Sequence, residues 1–116
     1  MIEVTNPKSI YEVTVREFIE AIRQNGLPQA FGHLVEQDEH GTIFKACAIG
    51  QAGINMYNDA WKFTDYEAQD VIAMAIELND DGFSLTGIAD RLTERFTDEL
   101  DTKLVPEPEP YDYAQY

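Results

Sequence analysis

The stretch ACAIGQAGINMYN, residues 46–58, decides the fold of this chain, because it has no charged side chain in a protein whose residues are 26% charged. If the stretch is helical, apolar or small residues lie on every side of the helix, with Gly50 and Gly53 among them. A helix that is hydrophobic all round is typically a buried one. The sequence therefore predicts a central helix here, and we expect its two glycines to lie where neighbouring helices approach closely.

Three amphipathic patterns predict the other helices, and each follows a capping signal. Thr14–Glu17 and Thr64–Glu67 both have the spacing of a capping box, in which the Thr hydroxyl accepts from the amide three residues later and the Glu side chain reaches back. Ser84 precedes the third pattern, whose apolar residues recur every three or four positions. The predicted helices cover about residues 15–24, 64–78 and 85–100.

Short β-leaning and aromatic runs flank the central helix. Residues 31–35 and 42–44 are separated by a polar segment that ends in Gly, which predicts a short β-hairpin. Trp61 and Phe63 follow the central helix, and we expect both to anchor the next connection in the core, because exposing both rings would be costly.

These patterns predict a mainly α-helical fold, a small single-domain bundle of about four helices around the buried central helix. The fold has room for one short β-hairpin, at about residues 31–45. A chain of 116 residues forms one domain with a thin core. We expect this domain to cover residues 1–104, and an acidic tail rich in Pro and Tyr to cover residues 105–116.

The chain is strongly acidic, with 22 acidic and 8 basic residues and a net charge of −14. Residues 59–116 hold fifteen of the acidic residues and four of the basic ones. Such a field repels nucleic acids and anionic membranes and attracts basic partners, so we expect no direct nucleic-acid binding and no membrane association. The single cysteine and the lack of a leader-like N-terminal pattern favour a cytoplasmic location, in the host cell if a phage encodes the protein.

Cys47 raises the question of catalysis, because it lies at the predicted start of the central helix with His33 and His40 upstream. A thiol at a helix N-terminus beside a His can act as a nucleophile, which gives a Cys47-dependent enzyme as one alternative. A free Cys is more often a small buried apolar residue, and a structural zinc needs four good ligands. The acidic loops 36–47 and 77–88 lack the Glu that a calcium loop has at its twelfth position. The sequence thus predicts no catalytic residue, no cofactor and no metal, and a protein that is not an enzyme.

Residues 78–92, LNDDGFSLTGIADRL, resemble the first two helices of a helix-turn-helix. Such a domain continues into a second turn and a basic recognition helix, whereas the residues that follow here include Asp98, Glu99 and Asp101. Carboxylates at that position would repel the phosphates that DNA-binding proteins neutralise. The pattern therefore predicts how two helices pack rather than DNA binding.

Three short motifs carry a resemblance to other proteins: ACAIG at residues 46–50, LND at 78–80 and IAD at 88–90. With these motifs, the region of about residues 45–95 is similar to a loose group of small helical proteins of unknown function from bacteria and their phages. The resemblance implies a compact helical domain and an origin in a phage or mobile element. It implies no activity, because the group offers none that can be placed on these residues.

These features predict a non-enzymatic acidic interaction protein, an accessory or regulatory factor of a phage or mobile element. We expect it to bind a protein partner with a basic surface through the acidic outer face of the last helix and the tyrosines of the tail. The alternatives are a nucleic-acid mimic that inhibits a host or defence protein, a virion or assembly component that forms homo-oligomers, and the Cys47 enzyme. The predicted partner-binding residues are Asp90, Glu94, Asp98, Glu99, Asp101, Tyr111, Tyr113 and Tyr116.

Overall fold

The computed structural model describes residues 8–24 and 26–107, and within them it confirms a small mainly α-helical domain with a hairpin. Its helices are α1 (Val15–Arg23), α2 (Ala48–Tyr57), α3 (Asp70–Asp80) and α4 (Leu85–Arg95). The antiparallel hairpin consists of β1 (Val35–Gln37) and β2 (Ile43–Ala46). Single 3-10 turns cover Ile10–Glu12, Thr64–Tyr66 and Thr97–Glu99. No helix in the described ranges is both long and apolar enough to cross a membrane.

The first two turns of helix α2 are buried on all sides, as the uncharged stretch predicts. All six residues from Ala48 to Gly53 are buried, including the polar Gln51. Helix α1 packs against α2 and α4, and α3 packs against the same two helices, so the four helices form a closed ring. The last turn of α2, residues 54–57, is half-buried.

The two glycines of α2 are sites of close approach, but the prediction that neighbouring helices meet there is wrong. A Cβ atom built on Gly50 would lie 3.0 Å from the carbonyl oxygen of Leu34, in the segment that enters β1. A Cβ atom on Gly53 would overlap the carbonyl oxygen of Asp59, in the turn that leaves α2. The glycines therefore let two connecting segments fold back against the central helix.

A buried amide on α2 attaches the segment after α1 to the core. The Gln51 side chain is 1% exposed, and its Nε2 donates to the carbonyls of Leu27 at 2.6 Å and Ala46 at 3.2 Å. Its Oε1 accepts from the Leu27 amide at 3.2 Å. Because these partners are backbone groups in buried or part-buried positions, the amide satisfies hydrogen bonds that the fold would otherwise leave unmade.

A second buried amide, that of Asn79 on α3, caps the start of α2. The N-cap residue Cys47 makes no side-chain capping hydrogen bond, and Asn79 Oδ1 accepts from the Ala48 amide at 2.9 Å instead. The same oxygen accepts from Gln29 Nε2 at 2.9 Å, and Asn79 Nδ2 donates to the Ala30 carbonyl at 2.9 Å. One side chain, 1% exposed, therefore joins α3, α2 and the segment before the hairpin.

The capping box at the start of α1 is confirmed. The Thr14 hydroxyl accepts from the Glu17 amide at 3.2 Å, and the Glu17 carboxylate accepts from the Thr14 amide at 3.0 Å. Burial alone would raise the pKa of the Glu17 carboxyl, but hydrogen bonds from Lys8 and Thr14 hold it below its usual value.

The second predicted capping box, Thr64–Glu67, is wrong. The Thr64 hydroxyl donates to the Trp61 carbonyl at 2.7 Å, and the chain there forms a single 3-10 turn. Gln69 is extended, so α3 begins only at Asp70. The prediction that both aromatic residues anchor this connection is also half wrong, because Phe63 is fully buried whereas Trp61 is 48% exposed.

Helix α4 ends at Arg95 rather than at about Leu100. The Thr97 hydroxyl donates to the carbonyls of Thr93 at 2.8 Å and Glu94 at 3.0 Å, which satisfies helix-end groups from outside the helix. Residues 97–99 then form a 3-10 turn. The chain continues into the core, where Leu104 and Val105 are buried.

Candidate interaction surface on the last helix

Helix α4 presents two different exposed edges, because it lies between α1 and α3. On the α1 edge, Asp90 and Thr93 contact Arg23. On the α3 edge, Arg91, Glu94 and Arg95 border a groove whose remaining wall is Met74 of α3. The predicted binding carboxylates are therefore divided between two edges and the turn that follows, rather than aligned on one helix face.

Two of the predicted carboxylates are neutralised within the molecule. Asp90 accepts from Arg23 at 2.7 Å, and Asp101 accepts from Arg16 at 3.1 Å. The first pair links α1 to α4, and the second links α1 to the segment that follows α4. These side chains are largely exposed, and ion pairs of this kind contribute little to stability. A carboxylate that already has an arginine partner also attracts a basic partner less strongly.

The other three predicted carboxylates that the structure describes are exposed and have no basic partner among residues 8–24 and 26–107. Glu94 lies in the last turn of α4, and Asp98 and Glu99 lie in the 3-10 turn that follows it. The last two leave the helix direction because Thr97 ends α4. The predicted tail residues Tyr111, Tyr113 and Tyr116 lie outside the described residues.

Sequence reasoning missed two arginines on the α3 edge of α4. The Arg91 guanidinium lies over the Phe83 ring at 5.0 Å, and that of Arg95 over the Phe96 ring at 5.1 Å. Neither forms an ion pair with a carboxylate in the described part of the chain, although acidic residues are in large excess. The signal in the sequence was their spacing of four, which places both on one side of a helix.

Cys47 and His33 line one cleft of about 170 Å³, so the structure brings together two of the three residues that the Cys47-enzyme alternative invokes. Burial raises the pKa of the Cys47 thiol, and the nearby Asp80 carboxylate raises it further. His33 makes its polar contact with Glu36, whose Oε2 lies 2.9 Å from Nε2, and neither His33 nor His40 is hydrogen-bonded to the thiol. A nucleophilic thiol needs the opposite, a lowered pKa and a hydrogen-bonded base.

We expect Cys47 to react slowly with a thiol reagent such as DTNB at pH 7.5. The rate should be at least about tenfold below that of a free cysteine, because the raised pKa reduces the thiolate fraction and burial limits access. The control is a Cys47→Ala chain that carries Thr86→Cys on the exposed side of α4, which should react at the free-cysteine rate. A Cys47 that reacts faster than this control would contradict the conclusion that its thiol is not activated, and it would favour the Cys47 enzyme.

Within the described residues, no three or more His, Cys, Asp or Glu side chains are grouped so that they could hold a metal ion. Comparison of the chain with models of protein families, with curated proteins and with solved structures found no match. The resemblance of residues 45–95 to small phage and bacterial proteins therefore stays a prediction.

Proposed function

We propose that this protein is a non-enzymatic interaction protein that binds a basic surface of a protein partner through its acidic C-terminal half. The observation that carries the proposal is the set Glu94, Asp98 and Glu99, three exposed carboxylates within six residues of each other that form no ion pair with a basic residue in the described chain. Asp90 and Asp101 belong to the edge of this surface, where their arginine partners reduce their contribution. The tail tyrosines extend the proposed surface by their sequence alone.

The charge of the chain supports this proposal through the rate and specificity of association. A net charge of −14 attracts a basic partner over several ångströms and repels acidic ones. Carboxylates at the rim of a contact act mainly on the association rate and its salt dependence. We therefore expect binding that weakens steeply as the salt concentration rises.

Nothing in the described part of the chain favours a nucleic-acid mimic over a protein that binds basic partners in general. Exposed carboxylates without a basic partner in the described chain also occur on α3, at Glu77 and Asp80, and at Asp65 before it. Their distribution over several elements is what a broadly acidic surface produces. A phosphate-like row on one face is the arrangement that mimicry requires.

The test is affinity capture of a partner from an extract of the organism that carries the gene, with the parent chain and a variant in which Glu94, Asp98 and Glu99 are replaced by Lys. Recovery of the partner should fall at least about tenfold, because three attractive charges worth roughly 0.5 kcal/mol or more each become repulsive. The thermal melting of the variant should stay close to that of the parent, since all three side chains are exposed.

The matched control carries the same change of charge at three exposed positions outside α3 and α4, Glu39→Lys, Asp65→Lys and Glu67→Lys. It should keep most of the recovery. Equal recovery with the parent and both variants, or an equal loss in both variants, would overturn the proposed surface, because the second result reports only net charge.

A further inference from the structure

We propose that the groove between α3 and α4, lined by Met74, Arg91, Glu94 and Arg95, binds a small phosphate monoester whose organic group is apolar or aromatic. The groove has a volume of about 370 Å³, which is within the range of small-molecule sites. This inference goes beyond the proposed function, because it concerns a small ligand and is measured on the isolated chain without a protein partner.

Two arginines that lie over aromatic rings are the first support for this site. The Arg91 guanidinium is 5.0 Å from the centre of the Phe83 ring, and that of Arg95 is 5.1 Å from the centre of the Phe96 ring. The two arginines are four residues apart on α4, so they lie on one side of the helix. A guanidinium over a ring still has N–H donors at its edge, where they can bind an oxyanion in a bidentate manner.

The second support is that these two guanidinium groups form no ion pair. Within residues 8–24 and 26–107, neither lies within ion-pair distance of a carboxylate, although the chain has 22 acidic and 8 basic residues. Arg16 and Arg23, by contrast, each pair with an aspartate. The donors of Arg91 and Arg95 are therefore available to an anion from outside the described chain.

The number of donors and charges in the groove favours a phosphate over a carboxylate. Both guanidinium groups line the same groove, so an anion between them borders both. A carboxylate has one charge and two oxygens, which a single guanidinium already satisfies. A phosphate monoester near neutral pH has a charge of about −1.5 to −2 and three terminal oxygens, so it can accept from both arginines at once.

The other two residues of the groove set the organic group of the ligand and its affinity. Met74 of α3 forms the facing wall, and its flexible thioether packs well against an apolar or aromatic group. Glu94 opposes an anion, but two arginines against one glutamate leave one positive charge in excess. Carboxylates more than about 8 Å away are largely screened at about 0.15 M salt, so the groove outweighs the net charge of −14. We expect a dissociation constant on the order of 1–10 mM.

The test is an NMR titration of the full chain with phenyl phosphate at pH 7.5, observed on the arginine Nε–Hε groups and on ¹³C-labelled methionine methyl groups. The signals of Arg91, Arg95 and the Met74 methyl should shift along one saturable curve. Arg16 and Arg23, which already have carboxylate partners, should shift little and serve as internal references. A titration without saturable shifts would overturn the inference. Equal shifts of all the arginines would overturn it too, because they would report only the general ion atmosphere.

Arg91→Gln with Arg95→Gln should weaken the binding measured at the Met74 methyl at least about tenfold, because the charge-assisted hydrogen bonds are lost. The matched control, Lys45→Gln with Lys62→Gln, removes the same charge at positions that do not line the groove. It should keep the affinity within about twofold of the parent value. An equal loss in both variants, or no loss in the arginine variant, would contradict the proposed site.

Glu94→Gln keeps the inference testable if the arginine variant loses stability. Removal of the carboxylate that opposes an anion should tighten phenyl phosphate binding at least about twofold, a gain that a folding defect cannot produce. Unchanged or weaker binding by this variant would place the ligand outside the groove.

Two further ligands test the assigned chemistry. Benzoate has the same ring and one carboxylate, and it should bind at least about fivefold more weakly than phenyl phosphate. Equal affinity for benzoate would contradict the preference for a phosphate. A neutral peptide that contains phosphotyrosine has the same group on a protein chain. If this peptide binds at least about tenfold more tightly than phenyl phosphate, a phosphorylated protein segment is the ligand and the small-molecule assignment is wrong.

Discussion

Replacement of Asn79 by leucine is expected to lower the free energy of unfolding by about 3 kcal/mol. Leucine has a similar volume, but it cannot accept from the Ala48 amide or donate to the Ala30 carbonyl, which Asn79 contacts at 2.9 Å each. Gln29 Nε2 also loses one of its two acceptors and keeps the Phe83 carbonyl at 2.7 Å. Each buried group left without a partner costs about 1–3 kcal/mol.

Denaturant unfolding monitored by circular dichroism measures this loss. The matched control is Glu77→Leu, two residues earlier on α3, where the side chain is exposed and the expected change is within about 0.5 kcal/mol. A stability change of that small size for Asn79→Leu would mean that the α2 N-terminus does not depend on the Asn79 amide.

Substitution of Gly53 by alanine is expected to destabilise the domain by about 2–3 kcal/mol, although alanine is the better helix former. The added methyl would overlap the carbonyl oxygen of Asp59, a backbone atom of the turn that leaves α2. That turn is held in place, because the Asp59 amide donates to the Gly53 carbonyl at 3.2 Å and the next residue, Ala60, is buried. The turn must therefore move away from the helix to admit the methyl group.

Gly87→Ala in α4 is the matched control, since it makes the same chemical change in another helix. Its Cβ would lie 3.1 Å from the Ser84 hydroxyl, which accepts from the Gly87 amide at 3.0 Å and needs to shift by only a few tenths of an ångström, so this hydrogen bond can remain. We expect this variant to be neutral or more stable by up to about 1 kcal/mol. Thermal melting of both variants compares the two sites. If the Gly53→Ala and Gly87→Ala chains have the same melting temperature, the turn after α2 moves away from the helix at little cost in free energy.

Local signals predicted the helices well where the capping groups have no competing partner. The Thr14 box forms as expected, and α2 is buried where the sequence lacks charge. The same spacing failed at Thr64, because its hydroxyl donates to the Trp61 carbonyl within a tight turn. That competing bond depends on the path of the chain after α2, which no local pattern describes.

The candidate site was only partly predictable, because charge is visible in a sequence and pairing is not. Asp90 pairs with Arg23 across 67 residues, and Asp101 pairs with Arg16 across 85 residues. Both pairs follow from the packing of α4 and its continuation beside α1, which long-range contacts decide. The groove arginines were hidden for the same reason, since their lack of carboxylate partners in the described chain is a property of the folded surface.

Asn79 shows the limit of motif reading most clearly. In the sequence it belongs to a polar run before a Gly, which is typical of a turn. In the structure it lies one residue before the end of α3 and points into the core, where it caps a different helix. Its role depends on the juxtaposition of α2, α3 and the segment around Ala30, which are remote from one another in the chain.

Native-state hydrogen exchange at the Ala48 amide tests most directly the central claim that α2 is the core of the fold and that Asn79 holds its first turn. We predict that this amide exchanges only on global unfolding, with an opening free energy within about 0.5 kcal/mol of the value from denaturant titration. In the Asn79→Leu chain, the opening free energy at Ala48 should fall at least as far as global stability. Exchange at Ala48 through a local opening of much lower free energy in the parent chain, while the buried Ala52 amide stays protected, would contradict the claim.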